Sequence, residues 1–284
     1  MVGHRIQGRV ATLLLCLPVS AMPAAPLVFV PLPMENPRNT VAHSQALAAY
    51  LGQLSGRRVE IRHFSDYDEI LRAFAADQID LLHLGPLPLL QLKQMTTHAV
   101  SMVAFRESDG QSRYTCTLAS ATDVRLEQGA PGTLQPMRLA LTQPMSTCGR
   151  LASAWLLQQA GGRIDAANSS YLGSHEAVAL ALVRGEYALG GLKRAIADRY
   201  RQLGVRVVAE TDPLPGFVLV ANGRTMTTQQ IEALREGLLR ANADVLSRLE
   251  LGRHGFAPVD GRLVSTVERM VRDTGFQLTA GPGR

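Results

Sequence analysis

The chain lacks the motifs that would assign it to a common enzyme class. It contains no G-x-S-x-G, no P-loop and no G-x-G-x-x-G sequence, so it predicts neither a nucleophile elbow nor a nucleotide-binding loop. Its histidines and cysteines show no H-x-x-x-H or C-x-x-C spacing, so it predicts no metal ion and no cofactor. No block of lysines and arginines indicates nucleic acid as a partner. These absences leave little support for an enzyme.

Long apolar runs are also missing. The one candidate, VATLLLCLPVSA, follows Arg5 and Arg9 and is too short for a comfortable membrane span. A basic start, a short hydrophobic centre and the alanines after it are typical of a secretory signal peptide. Cys16 is preceded by a leucine, where a lipoprotein signal needs a small residue. We therefore predict a signal peptide at 1–25, with export and no membrane insertion after cleavage.

The remaining composition is that of an ordinary globular protein. Of the 284 residues, 46% are hydrophobic and 19% are charged, which is enough apolar material for a core. Removal of residues 1–25, which carry two arginines and no acidic residue, lowers the net charge from +5 to +3. A mildly basic chain suits a small anionic ligand but does not require one.

Cysteine is scarce, and only Cys116 and Cys148 remain after the signal is removed. An even number of cysteines in an oxidising compartment favours a disulfide between them. The alternative is a pair of free thiols that act as ligands, or a nucleophilic Cys148.

Strands and helices alternate through most of the chain, which is typical of α/β sheets covered by helices. A strand at LVFV precedes an amphipathic helix over Val41–Leu54, and RRVEIRHF and IDLLHLG are further strands. The helix between these two strands begins with a capping box of Ser65 and Asp68. We predict a first lobe at 26–113 and a second at 114–212.

The chain is expected to cross between these lobes in strand-like segments near Tyr114 and Leu214. Residues 213–284 then return to the first lobe. Two amphipathic helices, Thr228–Leu249 and Arg262–Thr274, are predicted to close the chain.

Four loops occupy the carboxyl ends of strands, where α/β sheets bind ligands: PLPMENP, LGPLPLL, QPMSTCGR and LGSHEA. In QPMSTCGR, the hydroxyls of Ser146 and Thr147 stand at a helix N-terminus, whose N–H groups and dipole attract anions. Gly149 would let the backbone come close to such an anion. The same residues also make an ordinary helix cap, and the stretch alone leaves both interpretations open. His175 could donate to the same anion or cap its own helix.

Four segments, taken in order, resemble one protein family. They are SDYDEILRAFAADQIDLLHLGPLP, PMSTCGRL, YLGSHEAVALALVRGEY and TDPLPGFVLVANG. The chain is similar, over about 27–250, to periplasmic substrate-binding proteins of the phosphate/phosphite/phosphonate ABC transporter family. The resemblance implies the two-lobe type 2 periplasmic binding protein fold, in which each lobe is a mainly parallel sheet covered by helices. It also implies a monomeric, non-enzymatic protein that closes on a small tetrahedral oxyanion and delivers it to a permease.

The resemblance also implies the ligand-binding residues. In phosphonate-binding members, two tyrosines, a Ser-Thr-Ser helix start and a histidine hold the PO₃ group. By position these fall on Tyr67, Tyr114, Ser146, Thr147, Cys148 and His175. The cysteine departs from the family pattern, because a thiol is a poorer hydrogen-bond donor than a hydroxyl.

Gly85, Arg194 and Phe217 are implied as secondary ligand contacts. The family's aminophosphonate binders place carboxylates for the ligand amine at positions that correspond to Arg194, or to Lys193 with a shift of one residue, and to Phe217. An ammonium group would meet a cation here, so we predict against aminoalkylphosphonates.

Other relatives act as ligand-loaded partners of sensor kinases, including kinases that detect arsenite or arsenate. In that role the Cys148 thiolate would bind arsenic. The implied fold places Cys116 near residues 146–149, which permits either a disulfide or a two-thiol arsenic site. A third hypothesis is a thiol enzyme that uses Cys148 and His175. The sequence identifies neither the anion nor the partner.

Overall fold

The computed structural model describes residues 25–124, 137–261 and 264–278. Residues 1–24 of the predicted signal peptide and the loop EQGAPGTLQP lie outside the described residues. The described chain forms two α/β lobes, each built on one sheet, which confirms the predicted fold class.

The first lobe begins with alternating strands and helices, as predicted. In chain order these are β1 (Leu27–Val30), α1 (Pro37–Ser55), β2 (Val59–Ile61), α2 (Tyr67–Ala75), β3 (Leu81–Leu84), α3 (Pro86–Met95) and β4 (Ala99–Phe105). Helix α1 starts earlier than predicted, because Asn36 caps it and a proline suits the first helical position. Helix α2 is capped by Asp66 and not by Ser65, since the Asp66 carboxylate accepts the N–H of Glu69 at 2.8 Å.

The second lobe opens with β5 (Arg113–Tyr114), β6 (Cys116–Ser120) and β7 (Leu139–Leu141). A π-helical segment (Thr147–Ala152) continues into α4 (Ser153–Gln159), followed by β8 (Ser169–Tyr171), α5 (His175–Val183) and β9 (Leu189–Lys193). The lobe ends with α6 (Arg194–Arg199), a 3₁₀ turn (Arg201–Leu203), β10 (Arg206–Glu210) and β11 (Leu214–Pro215).

The chain then returns to the first sheet through β12 (Val218–Asn222), α7 (Thr228–Leu239), α8 (Ala243–Arg248), β13 (Phe256–Ala257) and α9 (Ser265–Thr274). The single helix predicted over 228–249 is therefore two helices: α7 ends at Leu239 with Arg240 as its C-cap, and the Asn242 side chain caps the start of α8. Strand β13 was not predicted. None of the described helices is both long and apolar enough to cross a membrane.

Both sheets are mixed rather than mainly parallel. The first has the order β13-β4-β12-β3-β1-β2, and the second has the order β10-β6-β9-β7-β8. Parallel pairing is confined to β2, β1 and β3 in the first sheet and to β8, β7 and β9 in the second. Helical crossovers join these strands and make them parallel. The remaining strands pair antiparallel.

Two strands outside the main sheets lie where the chain passes between lobes. Strands β5 and β11 pair antiparallel, with Leu214 opposite Tyr114. Helix α9 makes a further connection, because it contacts both α3 and α4, and Gln158 donates a hydrogen bond to the Asp273 carbonyl at 3.1 Å. The chain end thus lies against both lobes, not against the first alone.

Gly149 allows the π-helical segment to pack closely on the second sheet. A Cβ added to Gly149 would lie 1.9 Å from the Thr142 hydroxyl oxygen, and one added to Gly191 would lie 2.1 Å from the Ser153 hydroxyl oxygen. Gly149 therefore serves packing, rather than the close approach to an anion that the sequence suggested.

We expect Gly149→Ala to lower the free energy of unfolding by about 1–3 kcal/mol, because the new methyl group overpacks a buried contact. Urea denaturation measures the change. Gly261→Ala is the matched control, because a Cβ there meets no described atom within 4 Å. Equal stability of the two variants would contradict the packing role.

Candidate functional site

The six predicted ligand-binding residues line one small cup between the lobes. Besides Tyr67, Tyr114, Ser146, Thr147, Cys148 and His175, the lining residues are Leu32, Met34, Gly85, Pro88, Lys193 and Phe217. The cup encloses about 10 Å³, which is little more than the space of one water molecule. All six predicted residues are buried. Strand ends and helix starts from both lobes thus place these side chains together.

The loop that carries the Ser146 and Thr147 hydroxyls, called the hydroxyl loop (residues 146–149), is hydrogen-bonded to other parts of the protein. Ser146 is the N-cap of the π-helical segment, and its hydroxyl oxygen accepts the N–H of Gly149 at 3.0 Å. The hydroxyl oxygen of Thr147 accepts the N–H of Leu87 from the opposite lobe, also at 3.0 Å. In this closed form both hydroxyl oxygens are therefore occupied by N–H groups of the protein, and a ligand at the cup would require the lobes to separate.

Leu87 donates because of the proline pattern at the start of α3. Pro86 and Pro88 have no N–H, and the N–H of Leu89 bonds to the Gly85 carbonyl at 3.1 Å. The Leu87 N–H in the first turn of α3 therefore has no partner within the helix and can bond to a group outside it. Sequence reasoning missed this donor, although the G-P-L-P spacing carries the signal.

The two tyrosines are protonated donors at neutral pH. Burial raises the pKa of the Tyr67 phenol, and it is also the main cause that raises the pKa of Tyr114, with the Glu107 charge adding to it. The approach of the Thr147 side chain to the Tyr114 hydroxyl lowers the pKa of Tyr114 in part. Even so, the buried Tyr114 hydroxyl has no hydrogen-bond partner of acceptable geometry among the described residues. A buried hydroxyl without a partner costs about 1–3 kcal/mol, so this group favours an incoming acceptor.

His175 is held as a neutral donor. Its Nδ1 accepts the backbone N–H of Lys193 at 3.3 Å, which assigns the ring proton to Nε2. Burial, followed by the Lys193 charge, lowers the pKa of His175 to about 3.

The cation at the cup is Lys193, not Arg194. The Lys193 Nζ lies 2.6 Å from the Glu107 carboxylate and 5.3 and 5.2 Å from the ring centres of Tyr114 and Phe217. The glutamate belongs to the first lobe, so this ion pair also joins the lobes.

Arg194 points away from the cup. Its guanidinium pairs with Asp198 at 3.1 Å and with Glu210, and its side chain is 40% exposed. Arg194 is the first residue of α6, directly after Lys193 at the end of β9. Lys193, and not Arg194, therefore lines the cup.

Gly85 and Phe217 lie at the cup, as predicted. Gly85 is the N-cap of α3, and a Cβ there would lie 3.2 Å from the Phe217 ring and 3.5 Å from the Thr147 hydroxyl oxygen. The Phe217 ring stacks on Tyr114, with centroids 5.1 Å apart. A Cβ at position 85 would therefore be tight against the Phe217 ring, which would have to shift by a few tenths of an ångström.

Cys116 and Cys148 form a disulfide, as predicted, with Cα atoms 4.9 Å apart. The bond fixes the hydroxyl loop to the start of β6. Neither thiol is free, so this form offers no thiolate for arsenic and no nucleophile at Cys148.

The cup continues into a larger cleft between the lobes. The two spaces share Met34, His175, Lys193 and Phe217, and the cleft has a volume of about 650 Å³. Within the described ranges, no group of three or more histidine, cysteine or acidic side chains could hold a metal ion.

The geometry is that of two lobes that meet over a small buried cup lined by hydrogen-bond donors. Residues 29–263 match the family of periplasmic substrate-binding proteins of phosphonate ABC transporters. The match covers most of the chain, and the chain belongs to this family.

Solved structures show the same type 2 periplasmic binding protein fold. PhnD1 of Prochlorococcus marinus in complex with methylphosphonate is 17% identical, with a TM-score of 0.76 over 88% of this chain and 98% of that one. A binding component of a phosphonate ABC transporter from Pseudomonas aeruginosa is 18% identical, with a TM-score of 0.74 over 90% of each chain. A Xanthomonas citri protein bound to ATP is 20% identical, with a TM-score of 0.71 over 89% of this chain and 98% of that one.

Two buried histidines predict a loss of stability in acid. Burial and the Lys193 charge lower the pKa of His83, like that of His175, to about 3. The unfolded chain therefore binds more protons between about pH 6.5 and 3, so this stability is present above that window and is lost as the pH falls through it. We expect His83→Phe to reduce the slope by up to about 1.4 kcal/mol per pH unit between pH 4 and 6. Urea titrations at each pH measure this slope, and an unchanged slope would contradict the prediction.

The disulfide predicts that Cys116 and Cys148 of the oxidised protein do not react with alkylating reagents. Under denaturing conditions without reductant, we expect iodoacetamide to modify neither Cys116 nor Cys148, and both after reduction. Mass spectrometry reads the result. Alkylation of Cys148 before reduction would restore the thiol hypotheses.

Proposed function

We propose that this protein captures a phosphonate or a related tetrahedral oxyanion, such as phosphate, phosphite or arsenate, for an ABC importer. The observation that carries this proposal is the convergence of uncharged donors from both lobes on one buried cup, where the Tyr114 hydroxyl lacks a partner. Family membership supports a periplasmic transport component. The proposal places the mature chain in the periplasm after removal of residues 1–25, as a monomer without catalytic activity.

The anion enters by replacing the contact between Thr147 and Leu87. When the lobes separate, the Leu87 N–H becomes a free donor, and the Thr147 hydroxyl, whose oxygen accepts that N–H in the closed form, can turn its own O–H toward the anion. A hydrogen bond to a charged acceptor is worth about 1.5–3 kcal/mol, against about 0.5–1.5 kcal/mol for a neutral one. Closure around an anion therefore gains more than closure on an empty cup, and Tyr67, Tyr114 and His175 add further donors.

The positive charge of Lys193 disfavours ligands with a cationic substituent. It contributes the positive charge at the cup, partly balanced by Glu107. A ligand ammonium group would lie against this cation with no carboxylate to receive it in the cup lining. We infer that aminoalkylphosphonates bind more weakly than uncharged analogues.

If the protein is instead the sensory partner of a histidine kinase, the disulfide favours arsenate over arsenite as its ligand. A partner of a histidine kinase that detects arsenite would need the Cys148 thiolate, which the disulfide consumes. Arsenate, as a tetrahedral oxyanion, would use the same cup as phosphate and needs no thiol.

A panel of anions tests the function directly. We expect phosphate, phosphite, methylphosphonate or arsenate to raise the melting temperature of the mature protein, because a ligand of the folded state stabilises it. Sodium chloride at equal ionic strength is the control. If every anion behaves like the control, the proposed function fails.

Thr147 tests the site. We expect Thr147→Val to weaken binding of the best anion about tenfold or more, because it removes a donor to a charged oxygen. Thr147→Ser retains the hydroxyl and should bind within about threefold of the wild type. Calorimetry measures both affinities, and circular dichroism checks that the variants fold. Equal affinity of the valine and serine variants would remove Thr147 from the site.

A further inference from the structure

We propose that the cleft beside the cup holds the substituent of the ligand, and that it selects phosphonates with a bulky, flat substituent that carries no ammonium group. This inference rests on the proposed function, because the cup must first hold the PO₃ group. It adds a second subsite with its own chemical preference.

The path of the substituent follows from the residues that the two spaces share. The cup itself has room for little more than one water molecule, while the cleft has about 650 Å³. Met34, His175, Lys193 and Phe217 border both, so the two spaces adjoin at these four side chains, which we call the neck. A group attached to phosphorus in the cup reaches the cleft through this neck.

The cleft remains large although the lobes are already in contact. The Leu87–Thr147 hydrogen bond, the Glu107–Lys193 ion pair at 2.6 Å and a weaker contact between Glu35 and Arg199 at 3.7 Å all join the lobes. Small-molecule sites are typically about 300–1,000 Å³ and bury most of their ligand. A methyl substituent would leave most of this space to solvent, whereas a larger group would fill it.

The inner wall of the cleft is aromatic. The His83 ring lies 4.6 Å from Phe105 and 5.1 Å from Phe217, centroid to centroid, and all three residues line the cleft. The lowered pKa of His83 keeps its ring neutral near pH 7. A flat substituent can stack or make edge contacts here, and such aromatic pairs contribute about 0.5–1.5 kcal/mol beyond area burial.

Charge limits the choice of substituent at the neck. The side chains that line the cleft include four acids (Glu35, Glu107, Glu176, Glu250) and four bases (Arg106, Lys193, Arg199, Arg253). The cleft as a whole therefore has no strong preference of sign. Of the four residues at the neck only Lys193 carries a charge, and Glu107 balances that charge in part.

Calorimetry with three ligands tests the subsite in the mature, oxidised protein. We expect phenylphosphonate to bind about two- to tenfold more tightly than methylphosphonate, the range that one aromatic contact provides. We expect 2-aminoethylphosphonate to bind more weakly than either.

A cleft-filling variant separates the subsite from the cup. Ala195 is exposed, lies in the first turn of α6 and lines the cleft but not the cup. Ala195→Trp should weaken phenylphosphonate at least about fivefold and leave methylphosphonate unchanged, because the indole occupies the space of the substituent. Ala243→Trp, at an exposed position at the start of α8, is the matched control and should change neither affinity.

The outcomes distinguish the two levels of the proposal. If no anion binds at all, the proposed function fails. If methylphosphonate binds as tightly as phenylphosphonate and Ala195→Trp affects neither, the function stands and the subsite is overturned. Tight binding of 2-aminoethylphosphonate would overturn the role of Lys193 at the neck.

Discussion

The hydrogen bond from the Leu87 N–H to the Thr147 hydroxyl is the contact on which the site depends. It closes the cup at the point where a ligand would bind, and it does so with two groups that an anion oxygen can use equally well. The proline spacing of α3 leaves the Leu87 donor free, and the Ser146 cap together with the close packing of Gly149 fixes the opposite side. A neutral hydrogen bond is weak enough to yield to a charged acceptor.

Burial gives this cup its chemistry. It keeps the phenols of Tyr67 and Tyr114 protonated and the His175 imidazole neutral, so all three can donate without bringing charge of their own. Lys193 supplies the positive charge, and Glu107 prevents it from lying isolated in a dry space. An anion therefore replaces hydration with oriented dipoles rather than with a cluster of cations.

Strand–helix alternation predicted the fold and the loops at the carboxyl ends of the strands, whereas the resemblance to the family supplied the particular side chains expected to meet there. What could not be predicted depends on backbone detail. The prolines at the start of α3 mark the Leu87 N–H as a free donor but do not say which group it bonds, and the sequence pattern does not decide whether Lys193 or Arg194 lines the cup. The packing of Gly149 depends on Thr142, which directly precedes the loop QPMSTCGR, but nothing in the sequence indicates that the Thr142 side chain lies against position 149.

The position of α9 limits how such lobes can move. The paired strands β5 and β11 would allow the lobes to rotate about a hinge. Because α9 contacts both α3 and α4, such a rotation requires α9 to move relative to one of these two helices. The contacts of α9 with α3 and α4, in addition to the two strands, therefore limit how far the lobes can separate.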